Sequence, residues 1–139
     1  MADEILEVDL LAFEGGDTVA RRAVVDGVLR SLATGFVYVA HDVSEDLIDT
    51  AYGMLEAFFG LPGEQKARFV APGTHGQTGY TGLLVETAAT SEVADWKEML
   101  NWARDVPAAH PLRTRFTHRY HDQVLPEAAV PGIADVLNA

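Results

Sequence analysis

Ala33-Thr34-Gly35-Phe36-Val37-Tyr38-Val39-Ala40-His41-Asp42-Val43 is the stretch from which the rest of the chain can be laid out. Gly35 has no Cβ and can take the left-handed turn that ends a helix. Phe36 to Val39 is an unbroken β-prone run, the pattern of a strand covered on both faces, so a buried strand is expected there. Ser44 with Glu45 and Asp46 behind it then starts a helix, because a hydroxyl can accept an orphan amide and acids favour the positive end of the helix dipole. Helix, strand and helix in close succession point to a mixed α+β chain.

Upstream, Asp17 is a helix cap, and Val25, Val28, Leu29 and Leu32 at i, i+3, i+4 and i+7 predict one apolar stripe. Ile5 to Leu11 reads as a short strand broken by Gly15-Gly16. Downstream, Leu47, Ala51, Leu55 (or Met54) and Phe58 make the better helical stripe, and Leu61-Pro62-Gly63 ends it or opens a new turn. Gly73, Gly76, Gly79 and Gly82 punctuate an irregular stretch around His75 and Tyr80, read as a surface loop where backbone approaches something closely. Trp96, Glu98, Leu100 and Trp102 alternate with Lys97, Met99 and Asn101, which predicts a strand with both indoles on one face, filling a core. Pro111 can open a last helix with Leu112, Phe116, Tyr120 and Val124 every four residues. A further stripe of Ile133, Val136 and Leu137 begins just before Ala139, so the sequence reads as cut rather than finished.

Bulk properties narrow the function. A chain of 139 residues with 48% apolar and 22% charged residues has the material for one folded, soluble domain. A net charge of −11 repels phosphate backbones, so no nucleic-acid partner is expected. No apolar run approaches the roughly 20 residues that span a bilayer, and Met1 to Asp9 carries acids where a signal peptide carries bases. Neither a membrane partner nor export is expected, and the cytoplasm is the expected compartment. With no cysteine, any metal would have to be held by His and carboxylate.

Five blocks, in order, resemble the N-terminal region of the iron(II)- and 2-oxoglutarate-dependent oxygenases of the isopenicillin N synthase-like family. Ile5 to Phe13, ILEVDLLAF, resembles the family's opening I-P-V-I-D-L strand, with Asp9 at its aspartate. Ala33 to Val43 resembles GFF-x-V-x-NHGV, although Ala40 and Asp42 stand where Asn and Gly are usual. Phe58 to Lys66, FFGLPGEQK, is similar to FF-x-LP-x-EEK. Gly79-Tyr80 with Glu86, and Asp95-Trp96-Lys97-Glu98, resemble GY…E…DWKE. The likeness covers most of residues 5–105 and fades after Arg104.

The resemblance implies strands and helices that pack on a double-stranded β-helix (jelly-roll) core, most of which is missing from these residues. It divides the chain into an oxygenase N-terminal region, 1–105, and a helical segment leading toward that core, 106–139. It implies Fe(II) and 2-oxoglutarate in the parent enzyme, a small-molecule substrate, and the remainder of the oxygenase core as partner. The family's H-x-D, distal His and R-x-S come later, so no catalytic, metal or cosubstrate residue is carried over, and the segment alone is expected to be inactive and to bind no cofactor. A self-standing non-catalytic binding or scaffold module of the same fold is the alternative.

Among individual residues, Tyr80, His75 and Glu86 are the candidates for substrate contact, because Gly79 and Gly82 let the chain approach a ligand. His41 is read as a structural hydrogen-bonding residue. His118, His121 and Asp122 are weighed as a facial triad, but Asp122 sits about 100° from His121 on a helix and points elsewhere. Lys97 and Glu98 are read as solvated or cross-strand charge pairs; Arg68 and Arg104 could pair a substrate carboxylate, but exposed salt bridges are the simpler account.

Overall fold

A computed structural model describes residues 5–139; Met1 to Glu4, part of the acidic start read above, lie outside the described residues. Helices and short strands are mixed along the chain, in two compact units, one closing at Glu45 and the other running from Asp46 to Ala139.

The first unit is a β-α-β arrangement. Strand β1 (Leu6–Asp9) pairs in parallel with β2 (Val37–Ala40), in the register Leu6 to Val37 through Asp9 to Ala40. Parallel neighbours need a crossover, and helix α2 (Thr18–Ser31) supplies it. Asp17 caps α2 as expected, its Oδ1 accepting from the amides of Val19 and Ala20 at 2.9 Å each. Gly35 takes φ +76 beyond the helix end.

Three readings of this unit are corrected. The first strand stops at Asp9 rather than Leu11, because the Asp9 carboxylate caps a short helix α1 (Leu10–Gly15) through the amides of Leu11 (2.8 Å) and Ala12 (3.1 Å). The buried face of α2 carries Val24 and Ser31 instead of the Val25, Val28, Leu29 and Leu32 stripe, which is exposed. Gly27, between them in register, comes so close to β1 that a Cβ there would lie 2.7 Å from Val8 Cγ1. Phe36 and Tyr38, expected in a covered strand, are 68% and 63% exposed, since β1 and β2 form a two-stranded sheet. Burial of an apolar run depends on what is laid over it.

In the second unit helix α3 (Glu45–Phe59) follows the Leu47, Ala51, Met54, Leu55 and Phe58 pattern. The stripe ends in Phe58, fully buried and packed edge-on against Phe59, Phe69 and Tyr80 with ring centroids 5.3, 5.9 and 5.8 Å away. Such contacts each add about 0.5–1.5 kcal/mol beyond burial itself. Pro62 precedes α4 (Gly63–Lys66), which runs into a 3-10 turn, Ala67–Phe69. Strand β3 (Gly79–Thr81) pairs antiparallel with β4 (Met99–Asn101), joining Tyr80 to Leu100 across the ladder and completing the core of Phe58, Tyr80 and Leu100.

The glycine-rich stretch is therefore not a surface loop throughout: Thr74, Thr78, Tyr80 and Thr81 are all buried. Gly79 shows why glycine stands there. Its φ is +78, and a Cβ would meet the Phe69 carbonyl oxygen at 2.5 Å. The tryptophan strand is shorter than expected, and Trp96 lies outside it, 78% exposed rather than in the core. Trp102 is 38% exposed, its indole donating to the Leu137 carbonyl.

Pro111 does open helix α5 (Pro111–Arg115), but it ends before Phe116. The expected continuation to Val124 is replaced by bonds to the sheet side: Val124 N–H donates to Thr78 Oγ1 (3.2 Å), and Gln123 Oε1 accepts from the amide of Ala103 (2.8 Å). Helix α6 (Ile133–Asn138) starts after Gly132 at φ +87 and buries Ile133. Among the described residues no helix is long and apolar enough to cross a membrane.

Candidate functional site

Tyr80, His75 and Glu86 line one cleft of about 470 Å³, together with Val70, Thr81 and Val85. Each is placed by a different local device. Tyr80 is held by the β3–β4 ladder. His75 sits between Gly73 (φ +80) and Gly76 (φ +75) and itself takes φ +52, a left-handed conformation that costs a residue with a Cβ about 1–2 kcal/mol. Glu86 belongs to an arm folded back on itself, in which Leu84 N–H donates to Asp95 O (3.0 Å) and Asp95 N–H to Glu86 O (2.8 Å).

The carboxylate of Glu86 lies 2.8 Å from Lys97 Nζ, which also reaches Asp95 Oδ2 at 3.1 Å. These two hydrogen bonds, that of Glu86 foremost, raise the Lys97 ammonium above its ordinary value. Lys97 is thus in a solvated charge cluster, as expected. Glu98, its neighbour, is not.

Both carboxylate oxygens of Glu98 face Lys66, whose Nζ is 2.7 Å from Oε1 and 2.8 Å from Oε2. The Lys66 side chain is only 7% exposed, and its ammonium also donates to the Phe59 carbonyl (3.0 Å), at the negative end of α3. Tyr80 Oη donates to Glu98 Oε1 at 2.5 Å. The Lys66 bond, then that of Tyr80, holds the Glu98 carboxyl below its ordinary range. Burial first, then the bond and charge of Glu98, push the Tyr80 hydroxyl up to about 12. Tyr80 is therefore held neutral, its ring packed against Phe58 and its hydroxyl bound to Glu98.

Sequence reasoning missed Lys66 entirely. A signal was present: Lys66 closes the FFGLPGEQK block and Glu98 closes Asp95-Trp96-Lys97-Glu98, so the last charges of two blocks are a matched pair across 32 positions.

His41 accepts from the Val43 amide at 3.2 Å, the structural role expected of it. His118 and His121 are not on a helix; His121 Nε2 lies 3.1 Å from the His118 carbonyl, and Asp122 is paired with Arg113 at 2.6 Å. Among the described residues no group of three or more His, Asp or Glu comes together to hold a metal ion. The donor set of the described residues thus does not fit an iron site. Arg68 and Arg104, read as exposed salt bridges, have no ion pair among the described residues.

Residues 8–127 match the family described as non-haem dioxygenase in morphine synthesis, N-terminal, and the chain belongs to that family. Two plant enzymes named naringenin,2-oxoglutarate 3-dioxygenase are similar to it, 26% identical over 120 residues in Callistephus chinensis and 29% over 122 residues in Petunia hybrida. Each alignment takes in 84% of this chain and 31% of the plant enzyme. Among solved structures, a 2OG-Fe(II) oxygenase family protein from Caulobacter crescentus superposes with a TM-score of 0.70 at 28% identity, over 98% of this chain and 42% of that one. A full-length Neurospora crassa protein, solved in complex with alpha-KG and thymine, shares the fold at a TM-score of 0.62 and 20% identity, over 96% of this chain and 42% of its own. The chain therefore corresponds to the N-terminal part of a 2OG-Fe(II) oxygenase and spans less than half the length of these relatives.

Proposed function

We propose that the parent of this chain is a non-haem iron(II)- and 2-oxoglutarate-dependent oxygenase that oxidises a small organic substrate in the cytoplasm, and that this segment supplies scaffold and one wall of the substrate site. The observation that carries the reading is the family match over residues 8–127. Residues 1–105 would form the N-terminal region proper and 106–139 the passage toward a jelly-roll core. The exposed apolar side chains of the first unit, Val25, Leu29, Leu32, Phe36 and Tyr38, support a role as surface meant to be covered. Iron and 2-oxoglutarate would be bound by the core, and the segment alone would not turn over.

Within this reading the cleft beside Tyr80 faces the substrate. The aromatic wall packs a flat or apolar body, His75 supplies a polar edge, and Glu86 an acceptor already tethered by Lys97. The test is succinate formation from 2-oxoglutarate by the full-length gene product with Fe(II), across a panel of small aromatic and heterocyclic substrates. Substrate-stimulated turnover, with KM raised in His75→Ala and Glu86→Gln at little changed Tm, is the expected result. Absence of any 2-oxoglutarate turnover in a folded, iron-loaded product rejects the assignment; turnover with unaltered KM in both variants rejects the cleft.

A further inference from the structure

We propose that the two adjoining clefts around Arg119 form a binding site for a small oxyanion, a carboxylate or a phosphate. One, of about 370 Å³, is lined by Arg104, Arg119 and His121; the other, of about 610 Å³, by His118, Arg119 and His121, and both share Gln77 and Tyr120. Among the described residues no carboxylate lines either, in a chain with 21 acidic against 10 basic residues. Of the acids adjacent in sequence, Asp122 is held by Arg113, and Asp105 lines neither cleft but a third hollow, with Trp102 and Leu137, which Arg104 also borders.

The donors are free to act. Arg104 and Arg119 make no ion pair or side-chain hydrogen bond among the described residues, and neither do the side-chain carboxamide of Gln77 and the Tyr120 hydroxyl. The backbone beneath them is fixed: Gln123 Oε1 holds the Ala103 amide, Arg119 N–H bonds to Phe116 O, and His121 Nε2 meets the His118 carbonyl, which orients that ring. Two guanidinium forks over a frame of neutral donors match the flat or tetrahedral array of oxygens on a carboxylate or phosphate. A whole-chain charge of −11 repels anions at a distance, so only a local excess of cations can hold one. The site shares His75 with the cleft beside Tyr80 through its second hollow, but the inference stands on the Arg104 and Arg119 lining and not on the oxygenase assignment.

The test is titration of the isotopically labelled 139-residue chain with inorganic phosphate and, separately, malonate, following backbone amide shifts against a sodium chloride series at matched ionic strength. Saturable shifts at residues 103–106 and 118–123 are expected, and whichever anion saturates lower names the oxyanion class. Arg104→Gln and Arg119→Gln should each weaken binding about tenfold, Arg119→Lys less, and Arg68→Gln not at all. The same spectra show whether each variant keeps its fold, and Arg119→Lys carries the test if a Gln variant does not. Shifts that follow ionic strength alone, or affinity unchanged in the Arg104 and Arg119 variants, overturn the proposal.

Discussion

Lys66 and Glu98, 32 positions apart, meet at 2.7 Å where Lys66 is almost wholly buried, and a hydroxyl from Tyr80 completes the network. The ammonium joins three pieces of backbone: the last residue of α3, the helix that carries Lys66, and the stretch leading into β4. Removing one partner of such a pair strands the other charge away from water, which costs about 3–5 kcal/mol. Lys66→Met should therefore destabilise the chain by about 3 kcal/mol in urea unfolding, the lower end because Glu98 is partly exposed. The double variant Lys66→Met with Glu98→Leu should recover part of that loss, because the stranded carboxylate is gone. A double variant no better than the single one would show that the pair acts through packing alone.

Acid should weaken the fold through the same contact. The Glu98 carboxyl is held below its ordinary value of 4.5 in the folded chain, so it contributes stability above that pH. The contribution fades as pH falls below 4.5 and through the lowered folded value. Glu127, lowered by the amides of Gly132 and Ala134, acts in the same direction, whereas Lys97 is raised and stays charged throughout that range. The urea midpoint should drop on acidification from about pH 6 to about pH 3, and Glu98→Gln should be less stable at the upper end yet flatter across the interval. Parallel curves for the two proteins would remove Glu98 from the account.

What the sequence could and could not disclose follows the distance over which each feature is decided. Asp17, Gly35, Pro111 and the stripe ending in Phe58 were legible because caps and periodicity act within a few residues. The five ordered blocks made the family legible as well. Phe36 and Trp96 were misplaced because an apolar side chain does not state what covers it. The period-four run through Tyr120 and Val124 failed as a helix because Thr78 and Ala103, far upstream, take up the polar groups of Gln123 and Val124. Around the candidate site, the glycines marked a close approach of backbone, that of Gly79 to the Phe69 carbonyl, while the buried partner of Glu98 lay 32 positions away in another block, where only the pairing of two block ends could point to it.

Two glycines should respond in opposite ways to the same substitution. Gly79 has φ +78, and its Cβ would run into the Phe69 carbonyl oxygen at 2.5 Å, a backbone atom that cannot turn aside. Gly53 lies within α3 with nothing within 4 Å of its Cβ position. Gly79→Ala should cost at least about 2 kcal/mol, while Gly53→Ala should gain about 0.5–1 kcal/mol by reducing the freedom of the unfolded chain. Thermal melts of the two variants beside the parent protein decide the matter, and a neutral Gly79→Ala would mean that the Phe69–Gly79 approach is looser than described.

Tyr80 offers the sharpest optical test of the network. Its hydroxyl is pushed from 10.0 up to about 12 because burial disfavours a phenolate and because that phenolate would face the Glu98 carboxylate. The neutral form is thus the one the fold prefers, so the associated stability is complete below pH 10.0 and is lost as pH rises toward about 12. Ultraviolet titration of the parent protein minus Tyr80→Phe isolates this residue from Tyr38, Tyr52 and Tyr120. The difference curve should rise near pH 12. Tyr80→Phe keeps the ring against Phe58 and loses only the hydrogen bond, so it should cost about 1 kcal/mol below pH 10.0 and narrow its deficit above it. A midpoint near 10.0 would instead place the hydroxyl in water, out of reach of Glu98, and would leave the cleft without its fixed wall.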